Sequence, residues 1–295
     1  MGRFAFDRAL TDPMNHQIED DLTLFSLYMR VCGVPTLEPE PSGDPALIGK
    51  TVGLLNGASW VSLFAVYFGR KILPGARLIA VGNDAVQLHS MQAHRDGLPC
   101  PPQANIDRFV RYAEDLVQLH GADAILLTCS TMNRAAGAVR EALRKYAVPV
   151  VQIDEAMMEA AAAPGGRILL VATHAPTVRN SRELLEETAA RLGTRVSIAE
   201  AVAESAFHSL GRGDIAEHNE TIAQAIRGAS AREPFDRVVL AQISMSLFKL
   251  TYPAPERVFG VPVLTSGEEG FRRIRRLLTE PRGSACPPEI SHGAA

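Results

Sequence analysis

The sequence predicts an α/β protein made of two like lobes with parallel sheets, and three observations carry that expectation. From Lys50 onward, short apolar runs alternate with amphipathic segments. Two of those runs, "ILLTCSTMN" at 125–133 and "VVLAQISMS" at 238–246, share one pattern of apolar and polar positions. A length of 295 residues exceeds one ordinary core and suits two lobes.

Residues 18–34, "IEDDLTLFSLYMRVCGV", place Leu22, Phe25, Leu27 and Tyr28 near helical spacing, and "PTLEPEPSGDPALIGK" follows with four prolines and two glycines. The first 47 residues therefore read as a helical extension and linker: a docked extra helix, or alternatively a lid or oligomer contact. "KTVGLLN", "ARLIAVG", "ADAILLTC" and "VPVVQID" then read as buried parallel strands, with "NIDRFVRYAEDLVQLHG" and "NRAAGAVREALRKYA" as connecting helices. The second half repeats the theme with strands "GRILLVAT", "RVSIAEA", "DRVVLAQ" and "VPVLTSG", and helices "VRNSRELLEETAARLG" and "AEHNETIAQAIRGA". "QLHSMQAHRDGLPCPPQAN" and "AESAFHSLGRGD" read as loops that set side-chain specificity.

A shift of 113 residues carries Asp123, Leu127, Cys129, Thr131, Met132, Val148, Pro149, Val150 and Glu155 onto Asp236, Leu240, Gln242, Ser244, Met245, Val261, Pro262, Val263 and Glu268. A shift of 117 lays "GKTVGLLN" over "GRILLVAT" and sets Asn56 against Thr173. These matches predict an internal duplication, with lobes related by a pseudo-twofold axis.

Composition narrows the function. With 46% hydrophobic and 21% charged residues the chain is an ordinary globular one, and a net charge of −3 gives no electrostatic reason for a nucleic-acid partner. A small molecule is the expected partner, and a homo-oligomer is compatible with the sequence. Cys32, Cys100, Cys129 and Cys286 form no CxxC pair, and no histidine has metal-ligand spacing, so no metal is expected. The start lacks a secretory h-region, and the longest apolar stretch near it, Trp60–Gly69, is about half of a membrane span. A cytoplasmic protein with reduced thiols and no membrane contact is expected.

In parallel α/β sheets ligands bind beyond the carboxyl ends of strands, here in the cleft between lobes. The residues at those ends are Asn56, Ser59, Cys129, Ser130 and Thr131 in lobe one, and Thr173, His174, Gln242, Ser244 and Ser246 in lobe two. Their hydroxyls and amides suit a carboxylate held without a metal. Cys129 lies where a strand gives way to a helix, so backbone N–H groups and the helix dipole would favour its thiolate. That position alone leaves open both an activated thiol and an inert buried one.

The ordered set "LLNGAS", "LLTCSTMN", "VPVVQIDEAM", "LLVATHAPT", "VVLAQISMS" and "VPVLTSGEEG" resembles the aspartate/glutamate/hydantoin racemase superfamily over Ile48 to Leu278. The resemblance implies two pseudo-symmetric Rossmann-like lobes with the active site in the cleft between them. Proton transfer would occur at a carbon next to a carboxylate, without pyridoxal phosphate, other cofactor or metal, using one cysteine from each lobe. It also implies lobe one over 48–155 with a returning last helix at 266–280, lobe two over 156–265, and a flexible tail at 281–295.

Carried over by position, Cys129 is the first-lobe cysteine, Ser130 and Thr131 hold the substrate carboxylate, and Asn56 and Thr173 are polar residues of the cleft. The second cysteine would fall at Gln242, which has no proton to exchange near neutral pH. A symmetrical two-thiol mechanism is therefore not expected. His174 is the candidate second base of an isomerase, the alternative being a hydrogen-bonded cleft or loop histidine. Decarboxylation of a malonate-like acid by one cysteine, a maleate-type cis/trans isomerisation through thiolate addition, and a non-catalytic carboxylate-binding protein are the other readings. A two-lobed binding protein of the periplasmic type is disfavoured by the missing signal. His208 and His218 are expected at the surface, Glu155 and Glu268 at helix N-termini, and "FRRIRRLL" as a solvated amphipathic helix. Cys32, Cys100 and Cys286 receive no chemistry.

Overall fold

The computed structural model describes residues 18–34 and 43–280. The chain divides into two units, Met1–Leu37 and Glu38–Ala295. Within the first unit, α1 (Ile18–Cys32) leaves Leu22, Leu24, Phe25, Leu27 and Tyr28 more than half exposed. Cys286 and the expected tail lie outside the described residues.

The second unit holds two four-stranded parallel sheets. β1 (Thr51–Asn56), α2 (Val61–Ile72), β2 (Arg77–Gly82), α3 (Asp84–Arg95), α4 (Gln103–His120), β3 (Ala124–Leu127), α5 (Ala136–Leu143) and β4 (Val150–Gln152) build the first lobe. α6 (Glu155–Ala162), β5 (Gly166–Ala172), α7 (Ala175–Leu192), β6 (Val196–Val202), α8 (Glu204–Gly211), α9 (Ile215–Ser230), β7 (Arg237–Leu240), α10 (Phe248–Thr251), α11 (Pro255–Phe259) and β8 (Val263–Thr265) build the second. The strand orders are β2-β1-β3-β4 and β6-β5-β7-β8, so the lobes have the same topology. Strands such as β1 and β3 are buried throughout, which is why they read as unbroken apolar runs.

The shift of 113 residues matches the structure element for element: β3 falls on β7 and β4 on β8. A 3-10 turn at Ser130–Ala135 likewise falls on one at Ile243–Leu247. The first strands need a correction. Leu55 pairs with Leu127 and Val171 with Leu240, so Ala172 takes the place of Asn56, and Thr173 that of Gly57. The 117-residue shift was one too long, and one residue of register turns a side chain to the other face. Asp123 and Asp236 keep the correspondence: each carboxylate accepts an N–H at the start of the neighbouring first strand, from Thr51, the first residue of β1, at 2.8 Å and from Arg167, the second of β5, at 2.6 Å.

Two segments expected as loops are partly helical. α3 is capped by Asn83, whose side chain accepts the Ala85 N–H, and α8 buries Ala206, Ser209 and Leu210. Few apolar residues mark either helix, and packing supplies the rest. Among the described residues no helix is long and apolar enough to cross a membrane.

The chain crosses between lobes twice, at Ile153–Asp154 and at Thr265–Ser266. After the second crossing α12 (Ser266–Thr279) packs on α2, and its Phe271 and Ile274 join the first lobe's core with Leu47, Leu54 and Phe68. The crossings lie side by side: a Cβ added to Gly270 would meet Ile153 atoms at 2.6–3.0 Å. Of the arginines of α12, Arg272 pairs with Glu269, Arg273 with Glu159 and Arg275 with Asp44.

Candidate active site

The two 3-10 turns extend from the carboxyl ends of β3 and β7, and each packs on the helix that follows the first strand of the other lobe: Ser130–Ala135 on α7, Ile243–Leu247 on α2. Polar contacts tie this exchange down on one side. Thr131 and Thr177 hydroxyls lie 3.1 Å apart, Asn180 donates to the Thr131 carbonyl at 2.9 Å, and Asn133 donates to the Asn180 carbonyl at 3.1 Å. Between the turns lies a cavity of about 620 Å³ of empty space, counting the part open to solvent.

Cys129, Ser130, Thr131, His174, Gln242 and Ser244 all line that cavity, as do Gly57, Trp60, Thr177 and Phe207. Asn56, Ser59 and Thr173 do not. Asn56 is buried, accepting from Thr128 and donating to the Ser62 hydroxyl at 3.1 Å, because its place at the end of β1 turns it into the lobe. Ser59 is exposed and bound to Asp84. Thr173 is buried behind Gln242: its N–H and hydroxyl both donate to Gln242 Oε1, at 2.7 and 3.1 Å. Since Oε1 must face the Thr173 N–H, the Gln242 amide presents Nε2 as a donor.

The Cys129 sulfur sits against the backbone of Gly57, where an added Cβ would come within 2.5 Å of it. N–H groups of Met132, Thr131 and Gly57 favour its thiolate, but burial outweighs them and the nearby Asp154 charge adds to it, pushing the thiol up to about 11. Of the two readings that position left open, this shift favours the protonated thiol, because desolvation exceeds what three N–H dipoles return. His174 is shifted the other way by burial, with His94 adding to the effect, so its imidazole is held neutral. Its Nδ1 is buried without a partner, and its ring meets Phe207 edge-on at 5.4 Å.

Asp154, fully buried at the first crossing, escaped the sequence reading. Gln152 donates to its Oδ2 at 2.8 Å, while Oδ1 has no hydrogen bond; the Ser130 and Ser266 hydroxyls lie near it without closing one. Burial raises this carboxyl to about 6, against the opposing pull of Ser130, Gln152 and Ser266. Trp60 and Phe207 were also missed, since their contact joins residues far apart in sequence. His218, expected at the surface, is buried in α9 with Nδ1 2.8 Å from the Ala206 carbonyl, whereas His208 is exposed. Glu155 and Glu268 begin α6 and α12, paired with Arg140 and Lys249.

The profile of the Asp/Glu/Hydantoin racemase family matches residues 73–274. The chain belongs to this family. Solved structures give the same fold to this Asp/Glu/hydantoin racemase family protein. A glutamate racemase from Francisella tularensis, in complex with D-glutamate, is 15% identical with a TM-score of 0.58, over 78% of this chain and 81% of that one. An aspartate racemase homologue from Pyrococcus horikoshii is 19% identical with a TM-score of 0.56, over 78% and 100%. A variant of arylmalonate decarboxylase is 20% identical with a TM-score of 0.50, over 81% and 97%. No curated protein sequence matches significantly.

Proposed function

We propose that this family member is an isomerase that exchanges a proton at a carbon bearing a carboxylate, with Cys129 acting on one face and His174 on the other. One observation carries the reading: Cys129, from lobe one, and His174, from lobe two, are the only titratable side chains lining the cavity among the described residues. The pair is poised in complementary states. A neutral imidazole takes the α-proton, the carbon–hydrogen bond leaves its electrons on an enediolate, and the Cys129 thiol returns a proton from the opposite side. Turnover in the reverse sense starts from imidazolium and thiolate. Ser130, Thr131, Ser244 and Gln242 Nε2 bind the carboxylate and stabilise its developing charge through fixed donors.

Gln242 also favours a second reading. With no thiol on its face, a malonate-like acid would lose carbon dioxide there, and the enediolate left behind would take the Cys129 proton. Incubation in deuterium oxide separates the two. Exchange at the α-carbon with inversion, lost in Cys129→Ala and reduced by roughly 10²-fold or more in His174→Gln, is the expected result. Carbon dioxide release with one deuterium incorporated would replace it by the second reading, and turnover independent of Cys129 would remove both.

A further inference from the structure

We infer that the ligand of this cavity carries a single carboxylate and an apolar, aromatic substituent rather than a second charged arm; the inference rests on the proposed function and names its substrate class. Away from the turns, the cavity wall is made by Trp60, Val61, Val86, Met91 and Phe207. Among the described residues no lysine, arginine, aspartate or glutamate lines any part of it.

The polar side chains at that end are few and partly engaged with one another. The Trp60 indole N–H donates to Gln87 Oε1 at 2.9 Å, and the Ser90 hydroxyl accepts from Asn105 at 2.8 Å. A second carboxylate placed there would lose its hydration with no cation among the described residues to replace it. An aromatic ring meets the opposite situation. Trp60 and Phe207 approach each other across the cleft with centroids 6.4 Å apart, and the Phe207 and His174 rings meet at a steep angle with centroids 5.4 Å apart, so rings of both lobes frame the same space. The chemistry agrees: with no cation to hold the enediolate, a substituent that delocalises its charge lowers the barrier to forming it.

Trp60 is the only tryptophan of the chain, so its fluorescence reports occupancy directly. Titration with phenylacetate and with succinate compares the two ligand classes without turnover. Saturable quenching or shift by phenylacetate, with a dissociation constant at least roughly tenfold below that of succinate, is expected. Phe207→Arg, which places a cation at the wall, should reverse that order. Succinate binding as tightly as phenylacetate, or no saturation by phenylacetate below about 10 mM, overturns the inference. The two failures are distinguishable. Phenylacetate binding with no α-proton exchange or carbon dioxide release from any acid sinks the chemistry alone; Cys129-dependent exchange of aspartate or glutamate, with succinate preferred, sinks the ligand class alone.

Discussion

At Asp154 a buried carboxyl keeps one oxygen without a hydrogen bond, and that arrangement costs stability whenever the group is charged. Its folded pKa, about 6 against 3.8, means that the folded protein holds the proton more tightly. The stability this provides is present below about pH 4 and lost as pH rises through 6, on the order of 1–3 kcal/mol. Asp154→Asn should therefore be more stable than the native chain at pH 7, with the difference vanishing near pH 4 in urea titrations. Because the Asp154 charge also pushes Cys129 up, the same variant should bring alkylation of Cys129 to lower pH, read by peptide mapping. Equal stability at both pH values would show that Asp154 is compensated. The repeated strand-end motif made Cys129, Ser130, Thr131, Gln242 and Ser244 legible as a cluster. Asp154 gave no signal, because its peculiarity lies in what fails to bond to it.

Elements were legible where burial left unbroken apolar runs or a strong helical stripe, as in β1, β3, β5, β7 and α4. α3 and α8 were read as loops because their buried residues, Val86, Ser90 and Ala93 and Ala206, Ser209 and Leu210, sit at helical spacing but are mostly small or polar and so make only a faint apolar stripe. Which side chain of a strand end enters the cleft was not legible for Asn56 and Thr173, since one residue of register decides it. Gly57, just beyond β1, shows how tight that placement is. Gly57→Ala should push Cys129 out of position, destabilising by about 1–3 kcal/mol and removing most turnover. Gly137→Ala, in α5 with nothing within 4 Å of the added Cβ, should instead stabilise by roughly 0.5–1 kcal/mol. Thermal denaturation of the pair, with exchange rates, checks both signs.

For the whole molecule, the exchange of 3-10 turns carries part of the second lobe into the first lobe's core: Ile243 and Leu247 pack in one cluster with Leu54, Val66 and Phe271. The sheets should therefore melt in one calorimetric transition, and Phe271→Ala should lower it by about 3–5 kcal/mol of stability without splitting it. Two resolved transitions would show that the shared cluster does not couple them. The adjacency of the two crossings bears on movement. A backbone that passes twice through one place leaves the sheets a single axis to turn about, so any opening of the cleft is a swing and not a slide. Its pivot runs beside Ile153 and Gly270, and the greatest displacement falls at the far rim, where Trp60 faces Phe207.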